Sequence, residues 1–144
     1  MLIGSSVFFC PGNTIGGDLK VSNNTAAIEM TFNSVQGNLV DQSNTASTVI
    51  NQNTVGGSLT DQGNTASTVV ENNIVRGNLT DQSNTQSNTL IFNSVGGNMT
   101  VQNNPGATAV YASSVTKTLQ CQGNRSITGF GNTAAQKLGQ CSGF

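Results

Sequence analysis

The sequence predicts an all-β fold, a single-stranded right-handed parallel β-helix (β-solenoid) with 20 residues per coil and about seven coils. One observation is a 20-residue repeat, clearest in VQGNLVDQSNTASTVINQNT (35–54), VGGSLTDQGNTASTVVENNI (55–74) and VRGNLTDQSNTQSNTLIFNS (75–94). A second is the two-residue spacing of inward positions from Val35 to Leu39, which is typical of a half-buried strand. A third is the absence of the hexapeptide pattern that left-handed solenoids usually show.

The repeat also predicts how the chain is organised, which we interpret as one domain. We expect the register to continue without insertion or deletion from Ile15 to the C-terminus. The predicted boundaries are an N-terminal half-coil at 1–14, six coils at 15–134 and a C-terminal half-coil at 135–144.

Three apolar columns predict the core. Each repeat offers about three large apolar side chains, too few for a core of its own, so the repeats must stack to bury them. Burial of one aliphatic side chain contributes about 1.5–3 kcal/mol, so the whole stack can fold. The first column is Ile15, Val35, Val55, Val75, Val95 and Val115. The second is Leu19, Leu39, Leu59, Leu79, Met99 and Leu119. The third is Cys10, Met30, Ile50, Val70, Leu90, Val110 and Phe130.

Two columns of asparagine predict turns and ladders. Asparagine tolerates the left-handed backbone region at a turn, and stacked amides hydrogen-bond to one another. A column of glycine is expected to mark a bend or bulge with positive φ. The first asparagine column is Asn24, Asn44, Asn64, Asn84, Asn104 and Asn124, and the second is Asn13, Asn33, Asn53, Asn73 and Asn93. The glycine column is Gly17, Gly37, Gly57, Gly77 and Gly97.

The cysteines predict one disulfide bond. Cys121 and Cys141 are 20 residues apart, which makes them vertical neighbours in a solenoid and places them within bridging distance. A bond between them implies an oxidising, extracellular compartment, whereas the alternative is two free thiols in a core column. Cys10 is the odd cysteine; it is expected in the core, with an intermolecular bond as the alternative.

Three aspartates form an acidic column. Carboxylates stacked one strand spacing apart, about 4.8 Å, repel one another unless they are solvated, protonated or bridged by a cation. Calcium is the candidate cation because it prefers oxygen ligands, and no other cofactor is expected. The alternative is an acidic stripe that is solvated or paired with glutamines. The aspartates are Asp41, Asp61 and Asp81, and the glutamines are Gln42, Gln62 and Gln82. Val21, Val101 and Cys121 share the acidic column, which predicts that it points partly inward.

The composition argues against several classes of function. With 8% charged residues and a net charge of −1, the chain lacks the clustered basic residues that nucleic-acid binding requires. No apolar run is long enough to span a membrane. Histidine is absent, and coils of equal length leave no long loops to build a catalytic groove, so we do not expect an enzyme. An ice-binding face is disfavoured because Pro105 and Arg125 interrupt the threonine and serine columns.

The two ends of the chain carry the functional expectation. Residues 6–15 match the second half of a repeat and residues 135–144 match the first half. An uncapped solenoid exposes unpaired backbone at its ends, which favours head-to-tail self-association into a filament. One alternative is an adhesin or glycan-binding module with carbohydrate as its partner. Another is a fragment of a longer β-helix.

The repeat VxGNLxxQxN, with LQCQGN (119–124), GNTAAQK (131–137) and GQC (139–141) at its end, resembles a group of bacterial secreted proteins of unassigned function. The likeness covers essentially the whole chain. It implies a right-handed parallel β-helix and a location at the cell surface or outside the cell. It implies no catalytic residue.

Overall fold

The computed structural model describes residues 12–144, and every regular element in that range is a β-strand. The strands pair in parallel with strands about one repeat away, which gives a β-solenoid of about six turns and confirms the predicted fold class. No helix of a length and apolarity suited to crossing a membrane occurs among these residues.

A regular coil contains a two-residue strand, a four-residue strand and, after a corner, a second four-residue strand. In the last coils the strands lengthen, and the first two merge. In chain order the strands are β1 (Thr14–Ile15), β2 (Leu19–Ser22), β3 (Ile28–Thr31), β4 (Ser34–Val35), β5 (Leu39–Gln42), β6 (Thr48–Asn51), β7 (Thr54–Val55), β8 (Leu59–Gln62), β9 (Thr68–Glu71), β10 (Ile74–Val75), β11 (Leu79–Gln82), β12 (Asn88–Ile91), β13 (Ser94–Val95), β14 (Met99–Gln102), β15 (Ala107–Tyr111), β16 (Ser114–Gln122), β17 (Ser126–Phe130) and β18 (Thr133–Gly139).

Two sheets enclose the core. The six-stranded sheet has the order β17-β15-β12-β9-β6-β3, and the twelve-stranded sheet holds the other strands, joined through β16. Pairing is in register, so Leu59 of β8 lies between Leu39 of β5 and Leu79 of β11. Along β8, Leu59 and Asp61 are buried whereas Thr60 and Gln62 are half-buried.

The first two apolar columns lie inside the solenoid. Every member from β2 to β16 is buried, while Ile15 in β1 is only half-buried. The buried members are Leu19, Leu39, Leu59, Leu79, Met99 and Leu119, and Val35, Val55, Val75, Val95 and Val115. The third column is buried from Met30 to Val110, and Cys10 lies outside the described residues.

The prediction of an unbroken 20-residue register is wrong in the last turn. Val110 pairs with Gly129 instead of Phe130, because the corner after Asn124 is one residue shorter than its predecessor. A second one-residue loss within β18 pairs Cys121 with Gly139. As a result Phe130, predicted in the core, points outward and is 68% exposed. A one-residue shift moves a strand residue to the opposite face.

The corners differ in detail from the prediction. From Asn24 onward, the left-handed residue is the one before each ladder asparagine, not the asparagine itself. Ser43 has φ 55° before Asn44, and Gln52 has φ 55° before Asn53. Even Phe92 adopts φ 54°, a conformation that bulky residues rarely accept. The corner geometry of the stack therefore overrides local preference.

The reason for glycine in the glycine column also differs from the predicted positive φ. None of its members is among the described residues with positive φ. A Cβ on Gly77 would lie 2.7 Å from the carbonyl oxygen of Gly57 and 2.7 Å from the Ser58 hydroxyl. Close approach of successive coils, rather than a special backbone conformation, excludes a side chain there.

Leu59→Ala should lower the free energy of unfolding by about 2–5 kcal/mol, because the cavity opens between two identical buried layers. Urea unfolding followed by circular dichroism measures the change. The neighbouring Thr60→Ala, on the outward face, is the control and should cost less than about 1 kcal/mol. Equal losses for the two variants would contradict the stacked core.

Candidate functional site

Asparagine ladders run along two corners of the solenoid, and their stacking is confirmed. At the corner after the six-stranded sheet, the backbone N–H and Nδ2 of Asn53 donate to Oδ1 of Asn73 at 3.0 and 3.1 Å. Nδ2 of Asn73 also donates to the carbonyl of Ile50 at 2.8 Å. Each Oδ1 thus accepts from the asparagine one coil earlier, which gives the ladder a direction.

The corner before the six-stranded sheet has the same ladder with a different partner for its amides. The backbone N–H of Asn44 donates to Oδ1 of Asn64 at 2.8 Å. Nδ2 of Asn64, however, donates to Asp61 and, at 2.9 Å, to Oδ2 of Asp41. We call this cluster the Asp–Asn corner. It comprises Asp41, Asp61 and Asp81 with Asn44, Asn64, Asn84 and Asn104.

The three carboxyl groups of the Asp–Asn corner are completely buried. Burial raises the pKa of Asp41 and of Asp81 from 3.8 to about 6. The pKa of Asp61 is raised well above its ordinary value, first by burial and then by the charges of Asp81 and Asp41. Hydrogen bonds from Asp61 lower the pKa of both neighbours, so Asp61 is the carboxyl that keeps its proton.

The geometry does not favour the calcium site considered from the sequence. No group of three or more His, Cys, Asp or Glu side chains is placed to hold a metal ion in residues 12–144. The carboxyl oxygens accept asparagine amides instead. The alternative, an acidic stripe that is solvated or paired with glutamines, is wrong: the carboxyls are buried, and the glutamines bond to one another, with Gln82 Nε2 donating to Gln62 Oε1 at 3.0 Å.

A column of polar side chains faces the core beside the Asp–Asn corner and was missed in the sequence. Thr48, Thr68 and Thr108 have buried hydroxyls without a hydrogen-bond partner, and both amide atoms of Asn88 are likewise unpartnered. Thr48 lies close enough to lower the pKa of Asp41, although its hydroxyl makes no well-formed hydrogen bond. Their recurrence every 20 residues at an inward position was the available signal.

The disulfide between Cys121 and Cys141 is confirmed, with Cα atoms 5.2 Å apart. The strand partner of Cys121 is nevertheless Gly139, so the bond does not join vertical neighbours. After Gly139 the chain turns inward. Ser142 N–H donates to the Gly139 carbonyl at 3.2 Å, and Phe144 N–H donates to the Cys141 carbonyl at 3.1 Å. We call residues 140–144 the C-terminal hook.

The C-terminal hook closes this end of the core. Gly129 stands at the end of the third apolar column, and a Cβ there would collide with the ring of Phe144. Phe144 packs against the core, and Nζ of Lys137 donates to its carbonyl oxygen. Gln140 Oε1 accepts the backbone N–H of Asn124 at 3.0 Å and so ends the first ladder. The 20-residue period places Lys137 in the glycine column, and only the shifted register of the last turn brings it beside Leu119, so the period did not predict this closure.

The other ladder ends stay open within the described residues. Asn13 and Asn24 donate along their ladders, but their Oδ1 atoms accept no hydrogen bond from residues 12–144. At the opposite end Asn132 accepts from Ser113 N–H at 2.9 Å, while its own backbone N–H has no partner among residues 12–144. One end thus presents acceptors and the other a donor.

Aromatic side chains are exposed near the C-terminal end of the six-stranded sheet. The rings of Tyr111 and Phe130 lie on adjacent strands with centroids 4.8 Å apart. Phe92 is 58% exposed. The Tyr111 hydroxyl is 3.1 Å from the Thr128 hydroxyl, so a polar group borders the rings.

The described residues therefore carry four separate features: the Asp–Asn corner, the C-terminal hook, the open ladder ends and the aromatic pair. No family model, curated protein or solved structure matches the chain. What these features do follows from their geometry, burial and charge.

Asn73→Ala should lower the free energy of unfolding by about 2–4 kcal/mol, because two buried donors of Asn53 lose their acceptor and the Ile50 carbonyl loses its donor. Chemical denaturation measures it. Asn78→Ala is the matched control. Asn78 is exposed and accepts only from Asn98 N–H, so less than about 1 kcal/mol should be lost. A larger loss in the control would refute the buried ladder as a stabilising element.

Reduction of the disulfide, or the double variant Cys121→Ala/Cys141→Ala, should cost about 2–4 kcal/mol, the usual range for a loop of this size. Denaturant unfolding with and without a reducing agent gives the difference. In the double variant the reducing agent should have no further effect. An unchanged midpoint on reducing the wild type would show that the hook is held without the bond.

Proposed function

We propose that the chain is a non-enzymatic, structural β-solenoid that self-assembles into an extracellular filament by head-to-tail strand stacking. The observation that carries the proposal is the direction of the ladders. Among residues 12–144, Oδ1 of Asn13 accepts no hydrogen bond at one end of the described stack, and the backbone N–H of Asn132 donates none at the other. A second copy placed head to tail brings donor to acceptor.

Ladder direction also argues for head-to-tail rather than head-to-head contact. Two N-terminal ends would oppose acceptor to acceptor. In addition, all strands are parallel, so a further strand in the same direction extends β17 or β18 by the pairing already used between coils. A contact between unlike ends does not close on itself and therefore yields a filament.

The C-terminal hook defines what a second copy would meet at this end. The ring of Phe144 lies over the core, so a joint that buries the core must pack against it. The backbone N–H of Asn132 lies on another part of the same end, at the corner between β17 and β18, and remains available. In the contact that we propose, backbone groups of the two copies pair beside the Phe144 ring, which covers the core.

The compartment and the absence of catalysis are parts of the same proposal. A chain with a disulfide bond is consistent with an extracellular protein. The resemblance to bacterial secreted β-helix proteins supports the same location. The one dense cluster of acidic groups among residues 12–144, the Asp–Asn corner, is completely buried, so its carboxyls do not meet a substrate.

An adhesin or glycan-binding module is the second candidate, and a specific observation favours it. The exposed ring of Phe130 packs against the half-buried ring of Tyr111 and is bordered by hydroxyls, a surface that stacks on sugar rings while polar groups bond to sugar hydroxyls. A binding module of this kind stays monomeric at all concentrations, which separates it from a filament subunit.

The filament proposal predicts that the purified chain elongates with concentration, seen by sedimentation velocity and negative-stain microscopy. Asn13→Ala removes an open acceptor from an exposed residue and should weaken association about tenfold, the effect of one good hydrogen bond. Asn78→Ala, exposed within the stack, is the control and should assemble like the wild type. A chain that stays monomeric but binds oligosaccharides would replace this proposal with the second candidate.

A further inference from the structure

The acidic column is not required by the fold. Val21 of β2 and Val101 of β14 occupy the same inward position as Asp41, Asp61 and Asp81, and both are buried. Where valine stands, the ladder amide finds another acceptor: Nδ2 of Asn124 donates to the Val101 carbonyl at 2.9 Å. Three buried carboxyls therefore stand where an aliphatic side chain would serve the core.

No positively charged side chain of residues 12–144 faces these carboxyls. On the four-residue strand across the core, β6, Thr48 lies close to Asp41, and Thr68 of β9 and Asn88 of β12 occupy the same inward register position in the next coils. The adjacent strands above and below contribute Val21 and Val101. The charged residues of the packed strands lie at outward positions. They are Lys20 on β2, Glu29 on β3 and Glu71 on β9.

Adjacent carboxyls without a cation must share protons. They are stacked about one strand spacing apart in a dry interior, where two negative charges repel strongly. Asparagine amides occupy both oxygens of Asp81, with Asn84 at 2.7 Å and Asn104 at 2.7 Å. These amides are neutral and do not offset charge. A proton on the central Asp61 removes the charge that burial and both neighbouring carboxyls disfavour.

The unpartnered groups beside the column supply donors for the ionised form. The hydroxyls of Thr48 and Thr68 and the amide of Asn88 are at least 98% buried and make no hydrogen bond. A hydroxyl rotates freely and donates to a carboxylate once that carboxylate has lost its proton. The interior thus contains hydrogen-bond donors for the ionised carboxylates as well as acceptors for the protonated carboxyls. This is a second observation, beside the burial of the carboxyls, that the column can gain and lose protons.

We infer that Asp41, Asp61 and Asp81 form a buried proton-binding column that makes the solenoid acid-stabilised and loosens its middle coils as the pH rises. The inference does not depend on filament formation. The sign follows from linkage: the folded state holds its protons to a higher pH than the unfolded chain does. Stability is therefore fully present below the unfolded pKa of 3.8 and is lost as the pH rises through about 6.

Urea unfolding of the wild-type chain at pH 4, 6 and 8 tests the inference. Between pH 4 and pH 8 the unfolding equilibrium constant should rise by about 100-fold for each carboxyl with a two-unit pKa difference. Hydrogen exchange should show the loosening first in β5, β8 and β11. Stability that is flat or increases over this range would overturn the inference.

Two variants separate the column from other carboxylates. Asp41→Val/Asp61→Val/Asp81→Val copies Val21 and Val101 into the column and should make stability nearly independent of pH between 4 and 8. Glu71→Gln removes an outward carboxylate on β9 and should leave the wild-type pH dependence unchanged. A Glu71→Gln variant that loses the dependence would overturn the assignment to the column.

Infrared spectroscopy of the wild type provides a test that does not need the triple variant to fold. The carbonyl stretch of a protonated carboxyl should persist at pH 6, where exposed aspartates are ionised, and should disappear at higher pH together with the loss of stability. Absence of that band at pH 6 in the folded protein would also overturn the inference.

Discussion

The fold depends on one constraint: each coil must lie directly on its own copy. A single coil has too few large apolar side chains to bury them alone, so its core exists only between neighbours. Because pairing is parallel and in register, every inward position must accept the side chain that occupies it one coil away. Leucine on leucine and asparagine on asparagine satisfy that condition, and the glycine column satisfies it where backbones come closest.

The two asparagine corners show how one geometry serves two purposes. At both corners, the side-chain oxygen of each asparagine accepts a hydrogen bond from the asparagine one coil earlier. Its own amide group then donates to a further acceptor, which differs between the two corners. At the corner of Asn73 the partner is a backbone carbonyl, and the arrangement is neutral at every pH. At the corner of Asn64 the partners are carboxyls in a dry interior, so the same ladder becomes sensitive to protons. The difference lies in one inward position per coil.

At the C-terminal end, residues from outside the repeat take the positions that a further coil would occupy. Gly129 leaves a gap in an apolar column, and Phe144 returns from outside the repeat to fill it. Gln140 replaces the next ladder asparagine. The disulfide then ties these substitutes to the last full coil. The hook thus takes the place of a further coil over the core, while the backbone N–H of Asn132 has no partner among residues 12–144.

The sequence by itself determined the stack, the apolar columns, the ladders and the cysteine pair, because a period identifies residues that share a position. It did not determine what each position does at a corner. That the left-handed residue precedes Asn44, and that Asn64 bonds to carboxyls, was decided by the path of the backbone between sheets. The exposure of Phe130 was decided by a one-residue loss at a corner. Such details follow from contacts between coils. A repeat shows which residues share a position, but it does not show which way a side chain points or which partner it bonds.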